Sequence, residues 1–408
     1  MPIQGLSQAL ASKLDEMKQA GRLKGKETVI RAIVPPGPGK GRRYLLDGEG
    51  DKPFLRMNSN NYLGMSFRPE IVAAEEEAVR QFGTGPGAVR FISGSWAPHL
   101  ALERRLAQFH GRAAAMLFSS AYATVMGVLP PLITDKTAVI SDALNHNCII
   151  NAIALARPAA KHIYRHLDMA ELETSLAAAA KACRRAIIVT DGIFSMRGDH
   201  APLDRIMALA RRYDAGFPEN VVVVVDDSHG VGAFGPTGRG TEEYTRSGPV
   251  DILVATLGKA FGVNGGYVAG AETVIRYLRE TSPLYVYSNP ITPAEAAAAR
   301  EAVDLVDGAI GLGLLTHLRA MTGRFKAGLT QLGFETLPGE HPVVPAMLRD
   351  SVRTSALVAH LRAHGILATG LNYPVVPRGE EEIRFQISAD HVPADIDEAL
   401  DALRSFGG

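Results

Sequence analysis

Apolar residues follow two rhythms along this chain. Short continuous runs recur at Met116–Phe118, Ala138–Ile140, Ile163–Tyr164, Ala186–Val189, Val221–Val225 and Ile252–Ala255. Helical spacing lies between them, near residues 169–182 and 202–213. The five consecutive valines cannot alternate between core and solvent, so they predict a central strand covered on both faces. Strands alternating with helices over this span predict an α/β fold: a large domain with a mostly parallel sheet sandwiched by helices.

Other elements surround that core. Leu6, Leu10, Leu14 and Met17 recur at helical spacing among charged residues, predicting a short amphipathic helix that lies on another domain or another subunit. Residues 34–53 form a connector, with a hairpin at Asp47-Gly48-Glu49-Gly50. Helices follow from Pro69 to Phe82 and from His99 to Phe109, with a glycine-rich loop at 83–94 between them. Small residues at Ser119–Thr124 open another helix, whose free N–H groups make an anion site for a phosphate. Beyond Pro283 an alanine-rich helix runs from Pro293 to Val306, then a strand at Val343–Leu348, a helix over 351–363 and an alternating strand at Glu382–Ser388. This predicts an N-terminal helix and connector over 1–52, a large domain over 53–292 and a small α+β C-terminal domain over 293–408.

Composition narrows the function classes. Lys+Arg and Asp+Glu both number 43, so no net charge argues for nucleic acid or an anionic membrane. No apolar run approaches the ~20 residues that span a bilayer. The start lacks the charged-then-apolar order of a secretory signal. Two cysteines, Cys148 and Cys183, are too few for a disulfide framework or a structural zinc site. A reducing cytoplasm is the expected setting.

The chemistry concentrates where strands end. Lys259 follows the apolar run Ile252–Ala255 among small residues, Thr256-Leu257-Gly258-Lys259-Ala260-Phe261-Gly262. Burial there lowers an amine's pKa and readies it for imine formation with an aldehyde. Asp226 closes the valine run and His229 lies three residues on. A carboxylate so placed pairs with a protonated pyridine nitrogen, and an imidazole hydrogen-bonds a phenolic ring oxygen. Lysine, aspartate and histidine together match the needs of pyridoxal phosphate. His146, past another strand end, is placed to stack on a flat ring, and Ser195 to hydrogen-bond the ring oxygen. His146 and Cys148 lack further ligands at metal-binding spacing, so no metal is expected. On pattern alone Arg384 reads better as a surface ion-pairing residue than as a carboxylate binder.

Five ordered motifs carry a resemblance. Asn60-Asn61-Tyr62-Leu63-Gly64, Ser141-Asp142-Ala143-Leu144-Asn145-His146, Asp191-Gly192-Ile193-Phe194-Ser195-Met196, Asp226-Asp227-Ser228-His229 and Thr256-Leu257-Gly258-Lys259 together resemble the α-oxoamine synthases, fold-type I pyridoxal-phosphate enzymes. The resemblance implies condensation of an amino acid with an acyl-CoA, releasing CoA, in a homodimer with active sites at the subunit interface. It implies Lys259 as the imine-forming amine and α-proton base, Asp226 on the pyridine nitrogen and His146 stacked on the ring. His229 and Ser195 would touch the ring oxygen. Ala121, Tyr122, Thr256 and Ser288, the last from the second subunit, would hold the phosphate. Asn60 and Arg384 would bind the substrate carboxylate.

Within that family, Tyr373-Pro374-Val375-Val376-Pro377 and Ser141–His146 resemble the glycine C-acetyltransferase branch. The shorter Lys259-to-Gly265 interval resembles the oxononanoate and sphingolipid synthases instead. Asn147-Cys148 replaces a usual small pair after His146, and Val125 stands where asparagine is common. Glycine with a short acyl-CoA is the first expectation, and alanine with a longer acyl-CoA the second. An aldolase or aminotransferase of the same fold would need no CoA. A cofactor-free binding protein would tolerate loss of Lys259.

Overall fold

The computed structural model describes residues 3–20, 22, 23, 25–373 and 375–406; Pro374 of the Tyr373–Pro377 motif lies outside the described residues. Three N-terminal strands come first: β1 (Ile30–Val34), β2 (Arg43–Leu46) and β3 (Pro53–Arg56). Tyr44 pairs with Phe54 across the expected hairpin, whose Gly48 and Gly50 take positive φ of 77° and 60°.

Seven strands then build the main sheet: β4 (Ala114–Phe118), β5 (Thr137–Asp142), β6 (Ala160–Tyr164), β7 (Arg185–Asp191), β8 (Val221–Asp226), β9 (Ile252–Thr256) and β10 (Gly266–Gly270). Their spatial order is β4-β10-β9-β8-β7-β5-β6. Only β10 runs antiparallel to its neighbours, so the sheet is mixed but mostly parallel. The valine run is its middle strand. Val223 and Val225 enter the core on one face and Val224 the core on the other, all three buried. Each such buried valine contributes about 1.5–3 kcal/mol over an exposed one, which is why a polar residue cannot be interleaved here.

Four further strands complete the fold: β11 (Val343–Met347), β12 (Ile366–Leu367), β13 (Thr369–Leu371) and β14 (Glu382–Gln386). β11, β14 and β13 form an antiparallel sheet, while β12 pairs in parallel with β3, tying residues 53–56 to the C-terminal part of the chain. The expected helix Pro293–Val306 is present, with a reciprocal Thr292–Glu295 cap. Its Ala296, Ala298, Ala299 and Ala302 are fully buried, and short side chains there let it pack closely on the helices Pro69–Phe82 and Ala97–Phe109. The helix at Gln4–Gln19 buries none of its residues in this chain: Leu6, Leu10 and Leu14 are more than half exposed. Among the described residues no helix is long and apolar enough to cross a membrane.

A charged knot braces the sheet where β5, β6 and β7 end. His166 faces Asp142 Oδ1 at 2.9 Å and Asp199 Oδ2 at 3.2 Å, and Arg197 reaches Asp199 at 2.9 Å and Glu380 at 3.4 Å. Burial opposes the His166 cation, but hydrogen bonds and charges from both aspartates outweigh it and raise its pKa to about 9. A raised folded-state pKa adds stability that is complete below the unfolded value of 6.5 and disappears as pH rises through about 9. The stability difference between wild type and His166→Asn, measured by urea denaturation, is therefore expected to be largest at pH 6 and to shrink toward pH 9.5. A difference that grows with pH overturns this account.

Candidate active site

Four neighbouring strands, β9, β8, β7 and β5, deliver polar side chains to one cavity at their carboxyl ends. Lys259 comes from the loop after β9, Asp226 ends β8, Asp191 ends β7 and His146 follows β5; all four line it. Ser195, Ser228 and His229 line it too, as do Ala121 and Tyr122 at the start of the helix Ala121–Leu132.

The Lys259 loop is held by its own backbone. Leu257 N–H donates to Gly265 O at 2.9 Å and Val263 N–H to Leu257 O at 3.0 Å. Gly262, at φ 72°, lies so near Ser66 that a Cβ there would meet the Ser66 nitrogen at 2.4 Å. Burial lowers the Lys259 pKa, while Asp226 and Asp191 oppose that shift.

Asp191 and Asp226 stand in register on adjacent strands. Burial, reinforced by the Asp226 charge, pushes Asp191 well above the ordinary carboxylate range. Its Oδ2 accepts the His146 N–H at 3.0 Å, and Asp226 Oδ1 accepts the Ser228 N–H at 3.1 Å. Neither is a solvated strand end, since both are under a tenth exposed. Asp227 points the other way. Its carboxylate accepts the Thr241 N–H and Oγ–H at 2.6 and 2.7 Å, and a Cβ at Gly192, Gly230 or Gly240 would strike it.

His146 caps the helix Asn147–Ala156, its Nδ1 accepting the Cys148 N–H at 3.2 Å, and burial lowers its pKa. His229 is buried against Tyr62, with Nδ1 2.8 Å from the phenol oxygen; burial and the Lys259 charge hold it well below the usual imidazole value. His341 Nε2–H donates to the His229 carbonyl at 2.8 Å.

Not every expected residue reaches the cavity wall. Thr256 Oγ–H donates instead to Gly265 O at 3.1 Å, and Ser288 is half-buried away from the cavity. Asn60 is bonded to Gln386 and lies 3.4 Å from the Tyr62 hydroxyl. Arg384 is not the surface ion-pairing residue its pattern favoured: it is half-buried, its Nη1–H donates to Ser195 O at 2.8 Å, and its buried Nε has no partner. Both faces of β14 are covered, which the alternation could not reveal. Tyr62, Asp191, Cys148, Ser228 and His341 were not singled out as site residues beforehand. Asp191 shares the strand-end signal that marks Asp226, whereas His341 carries none.

The helix start at Ala121 is backed by Gly266, where a Cβ would meet the Ala121 nitrogen and the Ser120 carbonyl carbon at 2.4 Å. Gly266→Ala is expected to push this helix start out of place. It should weaken binding of a phosphate-bearing ligand at least about tenfold and cost about 1–3 kcal/mol of stability. Titration with pyridoxal phosphate against pyridoxal checks this, and an equal loss for both ligands would remove the phosphate from that helix start.

Residues 52–403 match the family described as aminotransferase class I and II. The chain is 38% identical over 398 residues to 8-amino-7-oxononanoate synthase of Thermosipho melanesiensis, covering 97% of each. It is 39% identical over 393 residues to the human mitochondrial 2-amino-3-ketobutyrate coenzyme A ligase, covering 93% of this chain and 91% of that one. Sphingomonas wittichii serine palmitoyltransferase superposes with a TM-score of 0.87 at 25% identity, covering 99% of this chain and 98% of that one. A serine palmitoyltransferase from S. paucimobilis, solved with bound PLP and myriocin, gives 0.85 at 25% identity over 100% and 97%. Likeness over the full length, together with the lysine, aspartate and histidine brought to one sheet edge, places this chain in the aminotransferase class I and II family and, within it, among the α-oxoamine synthases.

Proposed function

We propose that this protein condenses an amino acid with an acyl-CoA and releases CoA, using pyridoxal phosphate, with glycine and a short acyl-CoA as substrates. The observation that carries this is the convergence of Lys259, Asp226, His146 and His229 on one cavity, in a chain similar over its length to enzymes named for such condensations. The residues fit the cofactor. Ser228 Oγ lines the cavity without a hydrogen-bond partner, the Asp226 carboxylate is only lightly engaged, and free N–H groups open the helix at Ala121.

When bound, pyridoxal phosphate supplies an electron sink for the charge left at the amino acid's α-carbon. Lys259 Nζ would hold the aldehyde and serve as the base for the α-proton, roles its lowered pKa suits. Asp226 would face the ring nitrogen. His146 would stack on the ring and shield it from water, and His229 with Ser195 would meet the ring oxygen. Ala121 and Tyr122 would take the phosphate, while the Thr256 hydroxyl is committed to Gly265 O. Arg384, whose Nε has no partner among the described residues, would bind the substrate carboxylate, while Asn60 is held by Gln386.

A homodimer completes this assembly. Leu6, Leu10 and Leu14 leave an apolar stripe uncovered, and Ser288 does not line the cavity of its own chain. Free, buried Cys148 and Cys183 suit a reducing cytoplasm. Leu10→Asp is expected to shift the sedimentation profile toward monomer; an unchanged profile removes the stripe from the interface.

A second reading, alanine with a longer acyl-CoA and loss of carbon dioxide, is favoured by relatives named 8-amino-7-oxononanoate synthase at 38% identity. Glycine, alanine and serine tested against acetyl-, pimeloyl- and palmitoyl-CoA separate the two. Thiol release is expected to be fastest with glycine and acetyl-CoA. Lys259→Ala should lower kcat by roughly 10³-fold or more. No thiol release with any pair would leave an aldolase or aminotransferase chemistry, and full activity of Lys259→Ala would end the proposal.

A further inference from the structure

Cys148 lies where the site's imidazole and carboxylate meet. It occupies the second position of the helix Asn147–Ala156, is 1% exposed and lines the cavity. Its backbone N–H donates to His146 Nδ1 at 3.2 Å, and its sulfur lies 2.9 Å from the same nitrogen. The thiol also stands 3.8 Å from Asp226 Oδ2, as a donor. Among the described residues no other side chain is within hydrogen-bonding distance of both His146 and Asp226.

The chemistry of these contacts assigns the protons. Nδ1 of a neutral imidazole has one in-plane lone pair, and the backbone N–H takes it, so the ring carries its own proton on Nε2. The S–H is then left to the nearer oxygen of Asp226. Burial, with the charges of Asp226 and Asp191, pushes the thiol well above the usual cysteine value. It stays S–H through the working pH range. That makes it a donor and not a nucleophile.

We propose that Cys148 is a positioning residue of this site: its thiol hydrogen steadies the Asp226 carboxylate, while its backbone N–H holds the His146 ring in one tautomer and one orientation. This rests on the cofactor assignment above. Among the described residues the Asp226 carboxylate has one other hydrogen bond, from Ser228 N–H to its far oxygen, so without the thiol Oδ2 would be free to turn away from the orientation a ring nitrogen would need. A thiol is a weak donor, but a bond to a buried charged group lies at the strong end for its type.

The test uses the full-length holoenzyme and three variants, Cys148→Ala, Cys148→Val and Cys148→Ser. Pyridoxal-phosphate affinity is read from the visible absorbance on titration of the apoprotein, and the pH midpoint of that band is followed. Alanine and valine are expected to weaken cofactor binding about tenfold, the lower end for a hydrogen bond to a charged group, and to move the midpoint. Serine, which keeps a donor, should restore both to within about twofold. Valine fills the volume without donating, so it decides the matter if alanine does not fold. Independently of the cofactor, the infrared S–H stretch of Cys148 is expected to lie below that of buried Cys183 and to rise toward it in Asp226→Asn. Wild-type affinity and midpoint in the valine variant, equal impairment of serine and valine, or an S–H band indifferent to Asp226→Asn would each overturn the proposal. A wild-type protein that takes up no pyridoxal phosphate would instead overturn the cofactor assignment itself.

Discussion

An amine buried against two carboxylates is the constraint on which the rest of this structure depends. Removing the Lys259 side chain from water disfavours its charge, and Asp226 and Asp191 restore part of what is lost. The balance works only if the three groups cannot drift. Adjacent parallel strands meet part of that condition, because the register pairing Asp191 with Asp226 fixes the separation of their backbones through hydrogen bonds, and side-chain contacts settle the rest.

Two consecutive aspartates divide the labour of holding that geometry. Asp227, fully buried, faces into the protein, where Thr241 bonds its carboxylate and three glycines stand too close for any side chain. Its pKa is raised to about 7 by burial, with the Thr241 bonds opposing. Strand geometry turns Asp226 to the opposite side, into the cavity. The glycines of the Asp191-Gly192 and His229-Gly230 motifs thus serve Asp227's packing first, and the reactive neighbour is aimed as a consequence.

The C-terminal sheet closes the site from above. Ile383, Phe385 and Ile387 enter the core, with Phe385 packed on Phe325 at 4.9 Å between ring centres. Arg384 and Gln386, on the other face, reach Ser195 and Asn60. A bidentate group that is left partly unpaired and half-buried is costly unless an anion completes it, which is the physical argument for a carboxylate there.

Local pattern determined much of this protein. Continuous apolar runs marked six of the seven strands of the main sheet, and their ends marked Lys259, Asp226 and His146, because a strand buried on both faces can expose polar residues only where it stops. Tertiary structure decided the rest. β10 is five residues long and begins and ends in glycine, so no periodicity announces it; its neighbours supply the pairing. The helix Ala309–Gln331 carries four glycines that read as breakers, yet Gly328 is where Leu400 of the last helix packs too closely for a side chain. Alternation in β14 told which residues share a face but not that Arg384's face meets the cleft and not water. His341 and the β3–β12 pairing depend on residues far apart in the chain. Periodicity reports only a segment's own geometry, and what covers each face is settled by contacts that no single segment contains.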